Sequence, residues 1–342
     1  MAFDPDPSRP FALLAHCPAY APSPLRSVTV AGRNVWVKDE TARMGLGAFK
    51  ALGGVYAVAA LLGDAWAEAH GSPLAPQDYL SDDMRAFAGR HSFVCASAGN
   101  HGMAVAAGAR VFGAQARIFL SETVPESFAA RLAAKGAEVK RAGQVYDESI
   151  AAAIEDAEAS GAIHLADGSW PGYTRPPSLV MEGYTVMAEE MRQHFEAGGA
   201  WPTQVFLQAG VGGLAAAIAV MIRRNWAVQP EIVVVEPDAA PCLAASHDAG
   251  RIRPVEGPVS SMGRLDCKVA SLLAFEALEA AEVRYVTVTD TEAEAAAADL
   301  AAAGMPTTPS GAAGLAALLA EPFFSPERPP QRPLIIVSEG PA

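Results

Sequence analysis

Positive charge is scarce in this sequence of 342 residues, which contains only five lysines against twenty arginines. The formal net charge at pH 7 is -13, and no basic cluster interrupts the acidic balance. Nucleic acids and anionic membranes attract proteins largely through lysine and arginine, so this composition argues against both as partners. We expect a small polar or zwitterionic ligand instead.

Cysteine is scarce as well, and no two of its four copies, Cys17, Cys95, Cys242 and Cys267, have C-x-x-C spacing. We therefore predict free thiols, no metal site and no dithiol redox chemistry. Long apolar runs are also missing, since none approaches the roughly 18 residues that a membrane span needs. The opening residues MAFDPDPSRP lack the basic region and apolar core of a signal peptide. We expect a cytoplasmic protein.

What the sequence does contain is 51% hydrophobic and 18% charged residues, enough for a sizeable core. Strand-like apolar runs alternate with helical patterns, which is typical of a parallel α/β fold. The predicted strands are 27–30, 35–37, 92–96, 116–120, 138–142, 163–166, 203–207, 232–235, 283–288 and 334–337. The predicted helices include 51–69, 103–112, 150–157, 215–222 and 292–303, and a proline-rich connection is expected at 322–333.

One lysine, Lys50, follows a glycine-bearing loop and opens an apolar helix, in the segment KDETARMGLGAFKALGG at 38–54. Its neighbours Phe49, Ala51 and Leu52 suggest partial burial. Burial lowers the pKa of an amine, and the neutral amine attacks carbonyls, so Lys50 is a candidate Schiff-base nucleophile. A surface lysine with its stem packed on apolar residues fits this segment equally well.

A second motif, SAGNHG at 97–102, lies between a predicted strand and a predicted helix. Such a turn presents backbone N–H groups, the Ser97 hydroxyl and the Asn100 amide at a helix N-terminus. These groups can hold a carboxylate or a phenolic oxygen. The same residues also fit an ordinary capped turn, so this motif indicates a binding site only in combination with the other motifs.

A third motif, QAGVGGL at 208–214, again separates a strand from a helix. Its glycines let the backbone approach an anion, and the free amides of the helix bind phosphate without a basic side chain. Gly210, Gly212 and Ala215 also match the dinucleotide fingerprint, with Glu236 after the next strand, so a nicotinamide-dependent dehydrogenase is an alternative. A dehydrogenase would leave Lys50 and the SAGNHG turn unexplained. Pyridoxal phosphate accounts for all three motifs, because it needs an imine lysine, a phosphate cradle and a ring-side donor.

In this order the three motifs resemble those of the fold type II pyridoxal-phosphate enzymes, the superfamily of tryptophan synthase β and threonine dehydratase. Within that superfamily the sequence is most similar to the diaminopropionate ammonia-lyases. The segments that carry this likeness are YDES at 146–149, DGSWPGY at 167–173, MEGY at 181–184, VEPDAAPC at 235–242, MGRLDC at 262–267 and VSEG at 337–340.

The resemblance implies a two-domain α/β fold with parallel sheets flanked by helices. Residues 1–85 and 179–342 would form the larger, cofactor-binding domain, and residues 86–178 a smaller mobile domain. A homodimer is also implied.

The resemblance also implies a role for each matching site residue. Lys50 would form the Schiff base with pyridoxal 5'-phosphate, Asn100 would contact its 3'-oxygen, and Ser338 would face its pyridine nitrogen. A neutral hydroxyl there would temper the electron-withdrawing power of the ring, which favours elimination over deeper carbanion chemistry. The phosphate cradle would consist of Gly210, Val211, Gly212, Gly213 and Leu214. The substrate-binding loop would consist of Ser97, Ala98, Gly99 and His101.

Ala98 departs from the lyase pattern, because that branch often has an aspartate at this position. In the branch this aspartate is associated with the D-isomer, and the aspartate matching Asp167 with the L-isomer. The resemblance therefore implies β-elimination from L-2,3-diaminopropionate, giving pyruvate and ammonia through an aminoacrylate. Asp167 would be the catalytic base, with Lys50 as the fallback.

Other activities share the same motifs and stay open. Ala98 is more similar to the serine and threonine dehydratases, so a dehydratase acting on serine, threonine or hydroxyaspartate is an alternative. A β-replacement synthase would use the same intermediate. A non-catalytic protein that merely binds the cofactor is a further possibility.

Overall fold

The computed structural model describes residues 3–320 and 331–341, and most of the predicted connection at 322–333 lies outside the described residues. The strands are β1 (Leu25–Val30), β2 (Arg33–Asp39), β3 (Ser92–Ala96), β4 (Gln115–Leu120), β5 (Glu138–Arg141), β6 (Ile163–His164), β7 (Gln204–Gln208), β8 (Glu231–Pro237), β9 (Arg284–Val288) and β10 (Pro333–Val337). The α-helices are α1 (Ser8–Leu14), α2 (Lys50–His70), α3 (Asp82–Ala88), α4 (Asn100–Phe112), α5 (Glu126–Ala134), α6 (Tyr146–Ser160), α7 (Arg175–Gly198), α8 (Gly213–Asn225), α9 (Cys242–Ala249), α10 (Leu272–Ala280), α11 (Asp290–Ala302) and α12 (Pro309–Ala320). Short 3-10 turns occur at Arg43–Gly45 and Pro76–Leu80.

These strands form two sheets. One has six strands in the order β1-β2-β10-β7-β8-β9, parallel except for the β1–β2 pair. The other has four parallel strands in the order β5-β4-β3-β6. The predicted α/β class with parallel sheets flanked by helices is confirmed. The smaller sheet uses only strands between 92 and 164, and the division into domains at 85/86 and 178/179 stays a prediction.

The central strands are buried on both faces, which explains why they read as continuous apolar runs. Every residue of β7 and of β10 is buried. Among the helices of the described residues, none combines the length and the apolar character that a membrane span requires.

Close contact between α2 and α7 fixes the start of α2. A Cβ added at Gly183 of α7 would lie 2.6 Å from the Leu52 carbonyl oxygen and 2.7 Å from Gly53 Cα. The two helix backbones therefore touch, and glycine is required at this crossing. Because Lys50 is the first residue of α2, this crossing helps to set its position.

A buried ion cluster anchors the loop that leads to Lys50. Lys38 Nζ lies 2.5 Å from Glu190 Oε2, and Arg43 contacts Glu190 and Glu40 at 2.7 Å each. All four side chains are at most 4% exposed. Two cations balance two carboxylates, so the cluster is electrostatically complete and ties the loop to α7.

Candidate active site

The predicted site residues follow the carboxyl ends of parallel strands, where α/β proteins generally bind ligands. The SAGNHG turn follows β3, and Asp167 follows the neighbouring β6. The glycine loop follows β7, and Ser338 follows the neighbouring β10. Adjacent strands thus bring residues together that are far apart in the chain.

Lys50 and Asp167 form an ion pair through Nζ and Oδ2, with side chains 21% and 22% exposed. Burial alone would lower the pKa of Lys50, but the Asp167 carboxylate outweighs it and holds that pKa above its ordinary value. Burial would likewise raise the pKa of Asp167, but the Lys50 ammonium holds it well below its usual range. The expectation that burial lowers the pKa of Lys50 was therefore wrong for the free amine.

Tyr173 holds the loop that carries Asp167. Its hydroxyl donates to the His164 carbonyl at 2.8 Å and accepts from the Ala166 N–H at 3.0 Å. The Trp170 ring stacks on the Tyr173 ring at a centroid distance of 4.3 Å. These contacts fix the backbone immediately before Asp167.

Ser338 lies beside the start of α2. Its carbonyl accepts from the Phe49 N–H at 3.0 Å, and its Oγ accepts from Gln208 Nε2 at 3.1 Å. Because Oγ accepts this hydrogen bond, its own proton remains available to donate. That is the arrangement needed to face a pyridine nitrogen, although the role itself stays a prediction.

The SAGNHG turn forms the start of α4. Gly99 is the N-cap, with no side chain capping the helix, and Ser97 Oγ accepts from the Gly99 N–H at 3.3 Å. Asn100 donates through Nδ2 to Glu339 Oε2. An amide nitrogen carries two protons, so one more hydrogen bond is open to it. Ala98 is half-buried beside this turn.

The His101 ring is buried and hydrogen-bonded to the protein backbone. It is 3% exposed, and Nε2 lies 2.8 Å from the Leu165 carbonyl oxygen. Burial lowers the pKa of His101, which favours the neutral ring. The role of His101 in binding the substrate carboxylate stays a prediction, and its backbone N–H in the first helical turn is the group that could make this contact.

The glycine loop has the geometry of an anion cradle. Gly212, at a φ of 101°, is the N-cap of α8, and no side chain caps this helix. Gly213 and Leu214 then open the helix, where N–H groups have no intrahelical partner. A Cβ at Gly210 would lie 2.9 Å from Cys267 Sγ, so the loop is tightly enclosed on that side. All four cysteines are free thiols.

Glu236 is buried, whereas a strand-end carboxylate is usually solvated. It accepts from the N–H groups of Leu243 at 2.7 Å and Ala244 at 2.8 Å, and so caps α9. Burial raises the pKa of Glu236 to about 7. These contacts occupy the carboxylate that a dehydrogenase would use to bind a ribose, so the dinucleotide alternative loses its acidic residue.

Several residues that the sequence reasoning missed also lie at this site. Arg264 Nε is 3.5 Å from Glu339 Oε2, and Arg264 Nη1 would be 3.5 Å from a Cβ at Gly99. The Ser271 N–H donates to the Val211 carbonyl at 3.0 Å, while Ser271 Oγ accepts from the Ser169 N–H at 3.0 Å. Ser271 therefore links the Asp167 loop to the glycine loop. The MGRLDC and VSEG segments were the only sequence signal for Arg264 and Glu339.

Pyridoxal phosphate fits the residues that converge here. Lys50 supplies an amine, the uncapped start of α8 supplies N–H groups for a phosphate, and Ser338 supplies a donor for a ring nitrogen. Tyr184 adds an independent observation, because its hydroxyl is buried and has no hydrogen-bond partner within the described residues. A buried polar atom without a protein partner can bond to a ligand or to water, and this hydroxyl lies beside the groups that fit the cofactor.

Comparisons with known proteins agree with this fit. The family model for pyridoxal-phosphate dependent enzymes matches residues 17–338. Diaminopropionate ammonia-lyase of Escherichia coli strain K12 is 30% identical over 264 residues, covering 76% of this chain and 65% of the relative. The human serine dehydratase-like protein is 31% identical over 208 residues, covering 60% of each chain. The chain thus spans less than two thirds of the lyase's length.

Solved structures show the same architecture. The Escherichia coli diaminopropionate ammonia lyase in complex with an aminoacrylate-PLP azomethine intermediate has a TM-score of 0.82 at 26% identity, covering 99% of this chain and 91% of that chain. The processed form of threonine deaminase isoform 2 from Solanum lycopersicum has a TM-score of 0.76 at 20% identity, covering 99% and 92%. Together with the family match over nearly the whole chain, these results show that the protein belongs to the pyridoxal-phosphate dependent enzymes, with the fold type II architecture.

Proposed function

We propose that this enzyme catalyses β-elimination from a small β-substituted L-amino acid, best L-2,3-diaminopropionate, releasing pyruvate and ammonia. The observation that carries the proposal is the ion pair between Lys50 and Asp167, a carboxylate in contact with the amine that we assign to the cofactor. The likeness to diaminopropionate ammonia-lyase supports the choice of substrate.

The cofactor and the protein divide the chemistry. Pyridoxal phosphate, when bound, supplies an aldehyde that forms imines with amines and a ring that withdraws electrons from the substrate Cα. The protein must then bind the substrate carboxylate, remove the α-proton and deliver a proton to the leaving amine.

Asp167 is suited to remove the α-proton. Burial pushes the pKa of Asp167 upward, and the Lys50 ammonium holds it down. Once the substrate has released the Lys50 amine, a neutral Lys50 beside Asp167 leaves the carboxylate a stronger base than an ammonium would. The proton that Asp167 takes from the substrate Cα can pass to the neighbouring Lys50 amine, and the resulting ammonium can protonate the leaving amine.

The SAGNHG turn is suited to bind the substrate carboxylate. The uncapped N-terminus of α4 offers backbone N–H groups and the positive end of the helix dipole. Arg264 lies against Gly99 and adds a guanidinium to this side of the site. We assign the Ser97 hydroxyl and the His101 N–H to this contact, with Gly99 shaping the turn through its N–H bond to Ser97 Oγ.

We further propose a preference for the L-isomer. Asp167 approaches from the side of β6, and Ala98 leaves no carboxylate at the turn where the lyase branch often has one. With a single base, the α-proton can be removed from only one face of the substrate.

A dehydratase is the second candidate, and Ala98 is the observation that favours it. The Ala98 methyl group in the substrate loop provides no negative charge to recognise a β-ammonium group. A β-hydroxyl group is neutral and needs no such charge. The likeness to the human serine dehydratase-like protein points the same way.

One panel of substrates separates these candidates. We would measure pyruvate from L- and D-2,3-diaminopropionate, L- and D-serine and β-hydroxyaspartate, and 2-oxobutyrate from L-threonine, with Lys50→Ala as the blank. Turnover of L-diaminopropionate supports the lyase. Turnover confined to hydroxy amino acids would make the enzyme a dehydratase. Absence of product from every substrate would refute elimination.

We also propose a cellular location and an oligomeric state. Four free thiols are consistent with the reducing cytoplasm. A homodimer follows only from the family resemblance, and light scattering coupled to size-exclusion chromatography would test it.

A further inference from the structure

Tyr184, the last residue of the MEGY segment, lies between the two helix N-termini that form the site. A Cβ added at Gly53, one turn after Lys50, would lie 2.3 Å from Tyr184 Cε1. A Cβ added at Gly213, the first residue of α8, would lie 3.8 Å from Tyr184 Cε2. The Phe49 ring contacts the same side chain at a centroid distance of 4.9 Å. The ring thus fills the space between the Lys50 helix and the glycine loop.

The hydroxyl of Tyr184 is the unusual part of this side chain. Tyr184 is 2% exposed, and its Oη has no hydrogen-bond partner within the described residues. Tyr56, which is also buried between α2 and α7, donates its hydroxyl to Glu182 Oε2. Phenylalanine would fill the Tyr184 space without the cost of an unpaired polar atom, so packing alone does not explain the hydroxyl.

The surroundings of the hydroxyl show what it can bind. Burial raises the pKa of Tyr184, with the Lys50 and Asp167 charges as smaller opposing influences, so the phenol stays protonated at physiological pH. A protonated phenol donates a hydrogen bond, and its natural acceptor is an anionic oxygen. The glycine loop beside the ring is the part of the site built for such an anion.

We propose that the Tyr184 hydroxyl donates a hydrogen bond to the phosphate of pyridoxal phosphate, beside the backbone N–H groups of the glycine loop. Tyr184 is then a cofactor-binding residue, and its buried hydroxyl lacks a hydrogen-bond partner only in the cofactor-free protein. The assignment depends on the cofactor and is independent of the proposed substrate.

The test compares Tyr184→Phe with the wild type in the binding of two aldehydes to the apoprotein. Dissociation constants for pyridoxal phosphate and for pyridoxal, which lacks the phosphate, are measured by absorbance titration. We expect the constant for pyridoxal phosphate to rise about tenfold or more, as for loss of a charge-assisted hydrogen bond. The constant for pyridoxal should not change. The thermal midpoint of apo Tyr184→Phe should equal or exceed that of the wild type, because the lost hydroxyl has no partner there.

Tyr56→Phe is the matched control. It removes a buried tyrosine hydroxyl from the same helix interface, but one that is bonded to Glu182, so it should lower the apoprotein midpoint and leave both dissociation constants unchanged. If Tyr184→Phe weakens both aldehydes equally, the hydroxyl contacts a part that they share, and the phosphate assignment is wrong. If it weakens neither, Tyr184 does not bind the cofactor.

Discussion

Replacing Asp167 by asparagine is the most informative change in the site. The two side chains have nearly the same shape, so the variant keeps the packing and removes the negative charge beside Lys50. Two consequences follow, one for the cofactor-free protein and one for catalysis.

In the cofactor-free protein, Lys50 loses the carboxylate that raises its pKa. Burial, the largest influence, then lowers the pKa of Lys50. Removing one partner of a fully buried ion pair costs about 3–5 kcal/mol. Both side chains here are about one-fifth exposed, so we expect a stability loss at or below the lower end of that range. The variant should therefore still fold and bind the cofactor.

In catalysis, Asp167→Asn removes the proposed base. General-base catalysis contributes about 100- to 10,000-fold in rate, or about 3–5 kcal/mol of transition-state stabilisation. We therefore expect kcat for L-diaminopropionate to fall by that factor, with the visible absorption band of the bound cofactor retained. Exchange of the substrate α-proton in deuterium oxide, followed by proton NMR, should fall in parallel.

The refuting result is equally specific. If Asp167→Asn keeps more than about one-tenth of the wild-type kcat and exchanges the α-proton at the wild-type rate, Asp167 is not the base. Loss of the visible band would show instead that Asp167 positions Lys50 for binding the cofactor. Lys50→Ala, which lacks that band, is the reference for this outcome.

Three further predictions concern the loop, the pH dependence and the fold. Ala98→Asp should raise kcat/KM for D-diaminopropionate at least about tenfold by providing a second base, and Ala98→Asn should not; equal gains would rule out a role for the charge. The pKa of Glu236 rises from 4.5 to about 7 on folding, so the folded chain holds a proton that the unfolded chain loses in this window. The free energy of unfolding should fall by about 3 kcal/mol as pH rises from 4.5 to about 7. In urea unfolding at pH 5–8, Glu236→Gln should show a weaker dependence of this free energy on pH. An unchanged slope would contradict the raised pKa. Gly183→Ala should destabilise the fold by about 1–3 kcal/mol in the same assay, because its Cβ would meet the Leu52 carbonyl. Gly198→Ala on the same helix, where a Cβ meets nothing within 4 Å, should cost nothing; equal losses would show that the α2–α7 contact is not the cause.

Local sequence patterns predicted most of the fold. The predicted strand at 92–96 matches β3 at both ends, and the others match within two residues, because buried parallel strands are continuous apolar runs between polar turns. The predicted helix at 51–69 lacks only one residue at each end of α2. The glycine loop and Lys50 could be identified as candidates for the same reason, since each motif is contiguous in sequence.

The side-chain partners could not be predicted in this way. Asn100 and Glu339 are 239 positions apart, and no local pattern shows that they bond. Local sequence likewise contains no signal that Glu236 is buried, because its partners, the N–H groups of Leu243 and Ala244, become neighbours only in the folded chain. The direction of the Lys50 pKa depended on Asp167, which is 117 positions away.

The most direct test of Lys50-dependent elimination is to measure pyruvate and ammonia together from L-2,3-diaminopropionate, with wild type and Lys50→Ala in parallel. Elimination followed by hydrolysis releases two molecules of ammonia for each pyruvate, whereas serine releases one. We predict the two-to-one ratio from the wild type and no product from Lys50→Ala. Wild-type enzyme with a fully bound cofactor that releases neither product would contradict diaminopropionate as the substrate, and pyruvate from Lys50→Ala at the wild-type rate would contradict the role of Lys50.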